Sequence, residues 1–340
     1  MRFSRTLLIL FFFLLCPGLL LARNPLGDRY LSVVTVITKQ VRMNYLYQGE
    51  VPSGVGTGVL VDKEGHVLVP APLVSRAGWI DVCLPNGRHV GGTLVGIDYL
   101  TETALLRLKD TAGLKPAPLA SSTPATGSSI HFIGRPRQKV VHRAANIIEK
   151  HRLVVHRGVA LSGFLVTDLK LEGLGAGPVF DSRGNLLGLA INLPDFQTPQ
   201  GVMLVPPYLF RLAYSKLKEK GRAEWPWLGV KLLPLSPSLA KILKIPVSQG
   251  ALIEKVYPGS PARIVGLRGA NKEVSVGNVI YPLGGDVIVS IDRKRVSSPE
   301  KVDALIYQHG PGEIIEIGFY RQKKLRRVKL RLGRRSFVQP

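Results

Sequence analysis

Cysteine is almost missing from this 340-residue chain, which has two, Cys16 and Cys83. Cys16 falls in an apolar leader, so beyond it a single thiol remains and no internal disulfide can form. Stability must come from packing, and Cys83, inside the strand-like run Ile80-Asp81-Val82-Cys83-Leu84, reads as a small buried apolar residue. Acidic residues are scarce as well: 23 Asp+Glu stand against 46 Lys+Arg, a formal charge of +23. Such a surplus attracts anionic surfaces and leaves the fold open. Long apolar runs are absent except at the start, where Met1-Arg2-Phe3-Ser4-Arg5 precedes Leu7 to Leu15 and a Pro17-Gly18 break. A basic leader before an apolar stretch too short to span a bilayer comfortably predicts an export signal over residues 1–22. Cleavage after Ala22 would release an exported, periplasmic or envelope protein, and an uncleaved leader would anchor it. No metal or cofactor is expected.

What the chain does have is a glycine turn, Gly173-Leu174-Gly175-Ala176-Gly177-Pro178-Val179, between an apolar strand ending at Leu165-Val166-Thr167-Asp168 and a second one at Asn185 to Asn192. Three glycines in five residues let backbone N–H groups converge, the geometry of an oxyanion hole or an anion-binding nest. A hydrolase would need a nucleophile there, and the turn carries none. The loop dihedrals alone also account for glycine at 173 and 175.

From about Tyr30 to Leu212, short β-branched strands alternate with turns, as in Gly58 to Val69, where two apolar runs flank Asp62-Lys63-Glu64-Gly65. Many short strands at regular spacing predict a mainly β barrel or sandwich. Pro207 to Lys218 reads as an amphipathic helix stopped by Gly221. After a boundary near residues 219–226 the composition changes to a mixed module of about a hundred residues. Its helices are opened by Ser236 and Ser260-Pro261, and a further helix is expected over Pro299 to His309.

The glycine turn, followed by Gly-Pro-apolar and Asp-x-x-Gly-Asn, resembles the nucleophile loop of trypsin-like serine proteases. Gly54-Val55-Gly56-Thr57-Gly58, Phe132-Ile133-Gly134-Arg135-Pro136 and Gly201 to Pro206 extend that likeness. In the second module, Trp227-Leu228-Gly229-Val230, Pro258-Gly259-Ser260-Pro261-Ala262 and Gly285 to Asp292 resemble a PDZ domain. The whole resembles the HtrA/Deg family of exported serine proteases. That resemblance implies a mainly β fold: a trypsin-like double β-barrel over 28–218, then a PDZ domain, a small α+β module, over 225–335.

The chain departs from the family at the catalytic positions. Family catalysis uses a histidine base, an orienting aspartate and a serine nucleophile, and the aligned positions here hold Pro72, Glu102 and Gly175. The resemblance thus implies a catalytically inactive homologue, with no catalytic residue, an oxyanion-hole-like loop at Gly173 and Gly175, and Glu102 left with nothing to orient. A displaced triad built on His66, His131, His142, His151 or His156 is the enzyme alternative, a serine endopeptidase. Trp227, Leu228, Gly229 and Val230 resemble the PDZ loop whose N–H groups take a peptide's terminal carboxylate. The partners implied are C-terminal or unfolded peptide segments and an active HtrA-like protease. Family habit adds a homo-trimer formed through the segment around Tyr30 to Tyr47. The basic run Lys323 to Arg335 reads as a charged edge strand. As a surface for an anionic membrane or polymer it gives a third reading, a cationic envelope-binding protein. Nucleic acid is not an expected partner.

Overall fold

The computed structural model describes residues 27–44, 47–110, 113, 115–156, 159–243, 245–276 and 279–335, so the expected export signal lies outside the described residues. A 3-10 turn, Gly27–Ser32, leads into six strands: β1 Val33–Asn44, β2 Tyr47–Leu60, β3 His66–Pro70, β4 Trp79–Cys83, β5 His89–Asp98 and β6 Thr103–Leu108. They close into an antiparallel barrel in the order β1-β2-β3-β6-β5-β4. The β2–β3 hairpin forms where the sequence places it. Gly65 takes φ +88°, and Asp62 Oδ1 accepts from the N–H groups of Glu64 at 3.0 Å and His66 at 3.1 Å. Val34, Val36, Leu60, Val67, Val69 and Leu106 fill one core, and Cys83 is fully buried as expected. The one-turn helix α1, Ala71–Val74, follows β3 and carries Pro72 on its exposed side.

The next six strands are β7 Ser129–Gly134, β8 Val141–His156, β9 Val159–Thr167, β10 Gly177–Asp181, β11 Leu186–Ala190 and β12 Met203–Leu204. They hydrogen-bond in the order β11-β10-β7-β8-β9-β12. β12, two residues long, pairs with β9 and ends the ladder, so these strands form the second barrel-like sheet expected from the sequence. Helix α2, Pro207–Lys220, then buries Leu209, Phe210, Ala213 and Leu217, a stripe at helical spacing. Its end is set by Gly221 at φ +65°, whose N–H donates to Leu217 O at 2.9 Å. Tyr214 Oη and Lys218 Nζ on α2 both donate to Asp62 Oδ2, at 2.7 and 2.9 Å, and hold the helix against the β2–β3 turn.

The C-terminal unit begins with β13 Pro226–Trp227 and β14 Val230–Pro234. Helix α3, Pro237–Leu243, is capped as the sequence predicts, with Leu239 N–H donating to Ser236 Oγ at 3.1 Å. Then follow β15 Ala251–Val256, α4 Pro261–Ile264, the inserted hairpin β16 Lys272–Val276 with β17 Val279–Leu283, β18 Val287–Ile291 and β19 Lys294–Arg295. Helix α5, Pro299–Ile306, is a turn shorter than expected, and β20 Ile314–Arg321, β21 Lys324–Arg331 and β22 Gly333–Arg334 close the unit. The sheet order β14-β15-β18-β20-β21 leaves β14 and the cationic β21 as edges.

The two halves share one apolar core. Leu217 of α2, Trp225 of the connection, Leu228 and the α5 residues Val302 and Tyr307 belong to a single buried cluster. Trp225 is its centre: fully buried, it meets Tyr307 edge to face at 5.0 Å and donates from Nε1 to Asp98 Oδ1 of the first barrel at 2.8 Å.

Candidate functional sites

Pro72 and Gly175 border one cavity of about 480 Å³, between α1 on one side and the glycine turn on the other. Gly173 and Gly175 adopt φ +70° and +71°, with no atom near where a Cβ would stand. Backbone dihedral, rather than crowding, demands glycine there. Leu174 between them packs against a cluster of buried side chains on β7 to β12, among them Phe132, Leu165 and Val179, and its N–H donates to Leu171 O at 2.9 Å. Of the residues lining the cavity, only Thr57 and Asn192 carry polar side chains. The Thr57 hydroxyl is buried and accepts from the Arg135 N–H at 2.9 Å.

Glu102 does not line that cavity. It is buried at φ +51°, its carbonyl accepts from Ala71 N–H at 2.8 Å, and its carboxylate turns the other way. Glu102 Oε1 lies 2.9 Å from His156 Nε2, and His156 Nδ1 lies 2.8 Å from Asp195 Oδ2. The expectation that Glu102 has nothing to orient is therefore corrected: it holds His156 of β8, 54 residues away. Phe196 packs on the imidazole at 4.8 Å. With both ring nitrogens on carboxylates, this histidine is a link between the first barrel and the second sheet and has no free nitrogen for a base. Desolvation lowers its pKa, but the hydrogen bonds and charges of Glu102 and Asp195 outweigh that and hold it raised.

The sign of the pH effect follows. A histidine whose folded pKa is raised stabilises fully below its unfolded value of about 6.5 and loses that contribution as pH rises through the folded value. His156→Gln should cost about 3–5 kcal/mol below pH 6, because it leaves a buried carboxylate unpaired. The gap from wild type should narrow at pH 9. Urea unfolding of both proteins at the two pH values measures it.

Of the other histidines, the rings of His131 and His142 stack with His131 Nδ1 3.1 Å from His142 Nε2, and burial lowers both pKa values. His66 Nδ1 is 2.7 Å from Asp62 Oδ2. The trio Asp62, Glu64 and His66 has ligand atoms close enough for a cation. Lys218 Nζ already lies 2.9 Å from Asp62 and 2.8 Å from Glu64, so the cation in that place is an ammonium.

In the C-terminal unit Trp227 pairs with Gly333 of β22, while Leu228, Gly229 and Val230 open onto a narrow space facing α5. Gly229 takes φ +83°, and a Cβ there would stand 2.1 Å from Ser260 Cβ, so the loop requires glycine on both counts. Val302, Ile306 and Leu232 form the apolar wall opposite and beside it. Sequence reasoning missed three partners of these sites: His156 for Glu102, Asp98 for Trp225, and the β8–β9 hairpin beside Leu228.

A closed six-stranded barrel, a second antiparallel sheet and a five-strand module with the β14–α5 groove define a trypsin-like peptidase fold followed by a PDZ domain. Residues 56–189 match the trypsin-like peptidase domain family and residues 226–332 the PDZ domain family. The chain is homologous to the DegS and DegP serine endoproteases. It is 28% identical over 301 residues to the serine endoprotease DegS of Escherichia coli K12, covering 86% of this chain and 80% of that one. It is 28% identical over 285 residues to a probable periplasmic DegP-like serine endoprotease of Halomonas elongata, covering 82% of this chain and 56% of the relative. Among solved structures, the HtrA-type protease AlgW with a tripeptide superposes with a TM-score of 0.69 at 25% identity, covering 92% of this chain and 97% of that one. Among the described residues no helix is long and apolar enough to cross a membrane.

Proposed function

We propose that this HtrA-type chain is a peptidase fold without peptidase chemistry, whose task is to bind polypeptide C-termini through its PDZ domain in the cell envelope. One observation carries the proposal: among the described residues, the cavity bordered by Pro72 and Gly175 is lined by no serine, cysteine, histidine, acid or lysine. Acyl transfer needs a nucleophile and a base within hydrogen-bond reach of each other. Proline and glycine at 72 and 175 supply neither, and Thr57 is buried and committed. Its peptide-bound neighbour AlgW and its periplasmic relatives support peptide binding and an envelope location. A protein of this kind would act as an adaptor, as a chaperone-like holder or as a regulator of an active relative.

The peptide would add a strand to the free edge of β14, with its carboxylate on the N–H groups of Leu228 to Val230. Amidating the peptide terminus removes the charge those groups receive and should weaken binding about tenfold, about 1.4 kcal/mol. Calorimetric titration of the full mature chain with a free-acid octapeptide ending in Val and with its amide measures the ratio. Equal affinities would remove the carboxylate loop from the account.

A further inference from the structure

The groove that should receive a peptide is already filled. Leu228, Val302 and Ile306, the apolar side chains a terminal residue would touch, are 4%, 1% and 3% exposed with no ligand bound. The free space among them is about 20 Å³. That is room for about one water molecule and far less than an apolar side chain needs. The β8–β9 hairpin of the peptidase domain closes the space: Leu153 of β8 and Ser162 of β9 complete its wall.

Specific contacts hold the hairpin there. The Ser162 N–H donates to the Asp303 carboxylate on α5, and desolvation in this interface pushes that carboxyl up to about 7 despite the pull of Arg335 and of the N–H itself. One residue on, Gly163 takes φ +92°, and a Cβ there would stand 3.2 Å from Glu300 Cγ and 3.4 Å from Pro206 Cγ. The absence of a side chain at 163 lets β9 lie flat against α5. Trp225 and Tyr307 lock the same side of the module from below. The contacts are also imperfect. Arg335 leaves Nε and Nη1 buried without hydrogen-bond partners, as does the hydroxyl of Tyr307.

We propose that the β8–β9 hairpin is the resident occupant of the PDZ groove, so that a C-terminal peptide binds only after the PDZ domain moves off Leu153 and Ser162. The proposal rests on the peptide-binding role given above and adds its control. A ligand's apparent affinity falls by the fraction of molecules that are open. Loosening the hairpin should therefore strengthen peptide binding without changing any residue of the PDZ domain itself.

The test uses the full mature chain. Ser162→Cys provides a thiol at the contact, the native Cys83 being buried. Maleimide labelling of Ser162→Cys should run at least tenfold slower than labelling of the unfolded chain in urea. Adding Leu153→Glu, which puts a charged group into the wall of the space that Asp303 also lines, should restore fast labelling. In the background without the added cysteine, Leu153→Glu should bind a mixture of free-acid octapeptides ending in Val, Leu or Phe at least tenfold more tightly than wild type. Fast labelling of Ser162→Cys in the folded chain overturns the closure. Slow labelling with equal peptide affinity for wild type and Leu153→Glu overturns the coupling between closure and binding. Slow labelling released by Leu153→Glu, with no peptide bound by either protein, supports the closure and instead removes the peptide-binding role. Circular dichroism of each variant confirms that it is folded.

Discussion

Gly175→Ser alone should produce no detectable cleavage of unfolded casein, and neither should Pro72→His alone. In serine proteases, losing the nucleophile or the base by itself already lowers turnover by about a million-fold. A serine placed at 175 would also sit at φ +71°, a left-handed conformation that costs an L-residue about 1–2 kcal/mol. The pair Gly175→Ser with Pro72→His supplies both groups across the cavity, and α1 holds position 72 exposed toward it. Even this pair should stay several orders of magnitude below a working protease, because the Glu102 carboxylate is engaged by His156. Adding His156→Gln weakens that engagement and should raise the pair's turnover, at the stability cost described above. Cleavage of casein followed by mass spectrometry reads all four proteins. Activity in either single variant would show that the missing partner is supplied elsewhere.

Trp225→Ala should destabilise the chain by about 3–5 kcal/mol, the range for removing a large aromatic side chain from a packed core. The residue is fully buried where the two halves meet, and its loss also removes a donor from the buried Asp98 carboxylate. Asp98 keeps the N–H groups of Leu100 and Thr101 and the Thr101 hydroxyl, so the barrel turn it organises should survive. Trp225→Phe separates the two contributions: it retains most of the packing and loses the hydrogen bond, about 1–3 kcal/mol. Urea unfolding gives both values. If the peptidase domain and the PDZ domain unfold as one unit in wild type, Trp225→Ala should split the transition in two. A loss below 1 kcal/mol for Trp225→Ala would mean that the shared core contributes little.

Much of this fold was legible because it is written locally. The Asp62 to Gly65 hairpin, the Ser236 and Ser260 caps and the Gly221 stop each depend on residues within a few positions of one another. The cavity bordered by Pro72 and Gly175 could be anticipated only through the resemblance, since Pro72 sits on α1 and Gly175 in the turn before β10, about a hundred residues apart in the chain. What escaped the sequence depends on distant pairs. Nothing near Glu102 announces His156, and nothing near His156 announces Asp195, 39 residues further on. The filled groove escaped for a related reason. Leu228 and Val230 look the same in sequence whether a peptide or the chain's own hairpin lies against them.

The measurement that bears most directly on the central claim is a peptidase assay of the purified wild-type chain on unfolded casein. It should be run beside labelling with a serine-directed fluorophosphonate and with an active DegS-type relative as reference. The expected result is no fragment above the buffer control at any pH between 5 and 9, and no fluorophosphonate adduct on any peptide of the chain. Steady casein hydrolysis that copurifies with the protein, with an adduct mapped to one of its serines, would contradict it.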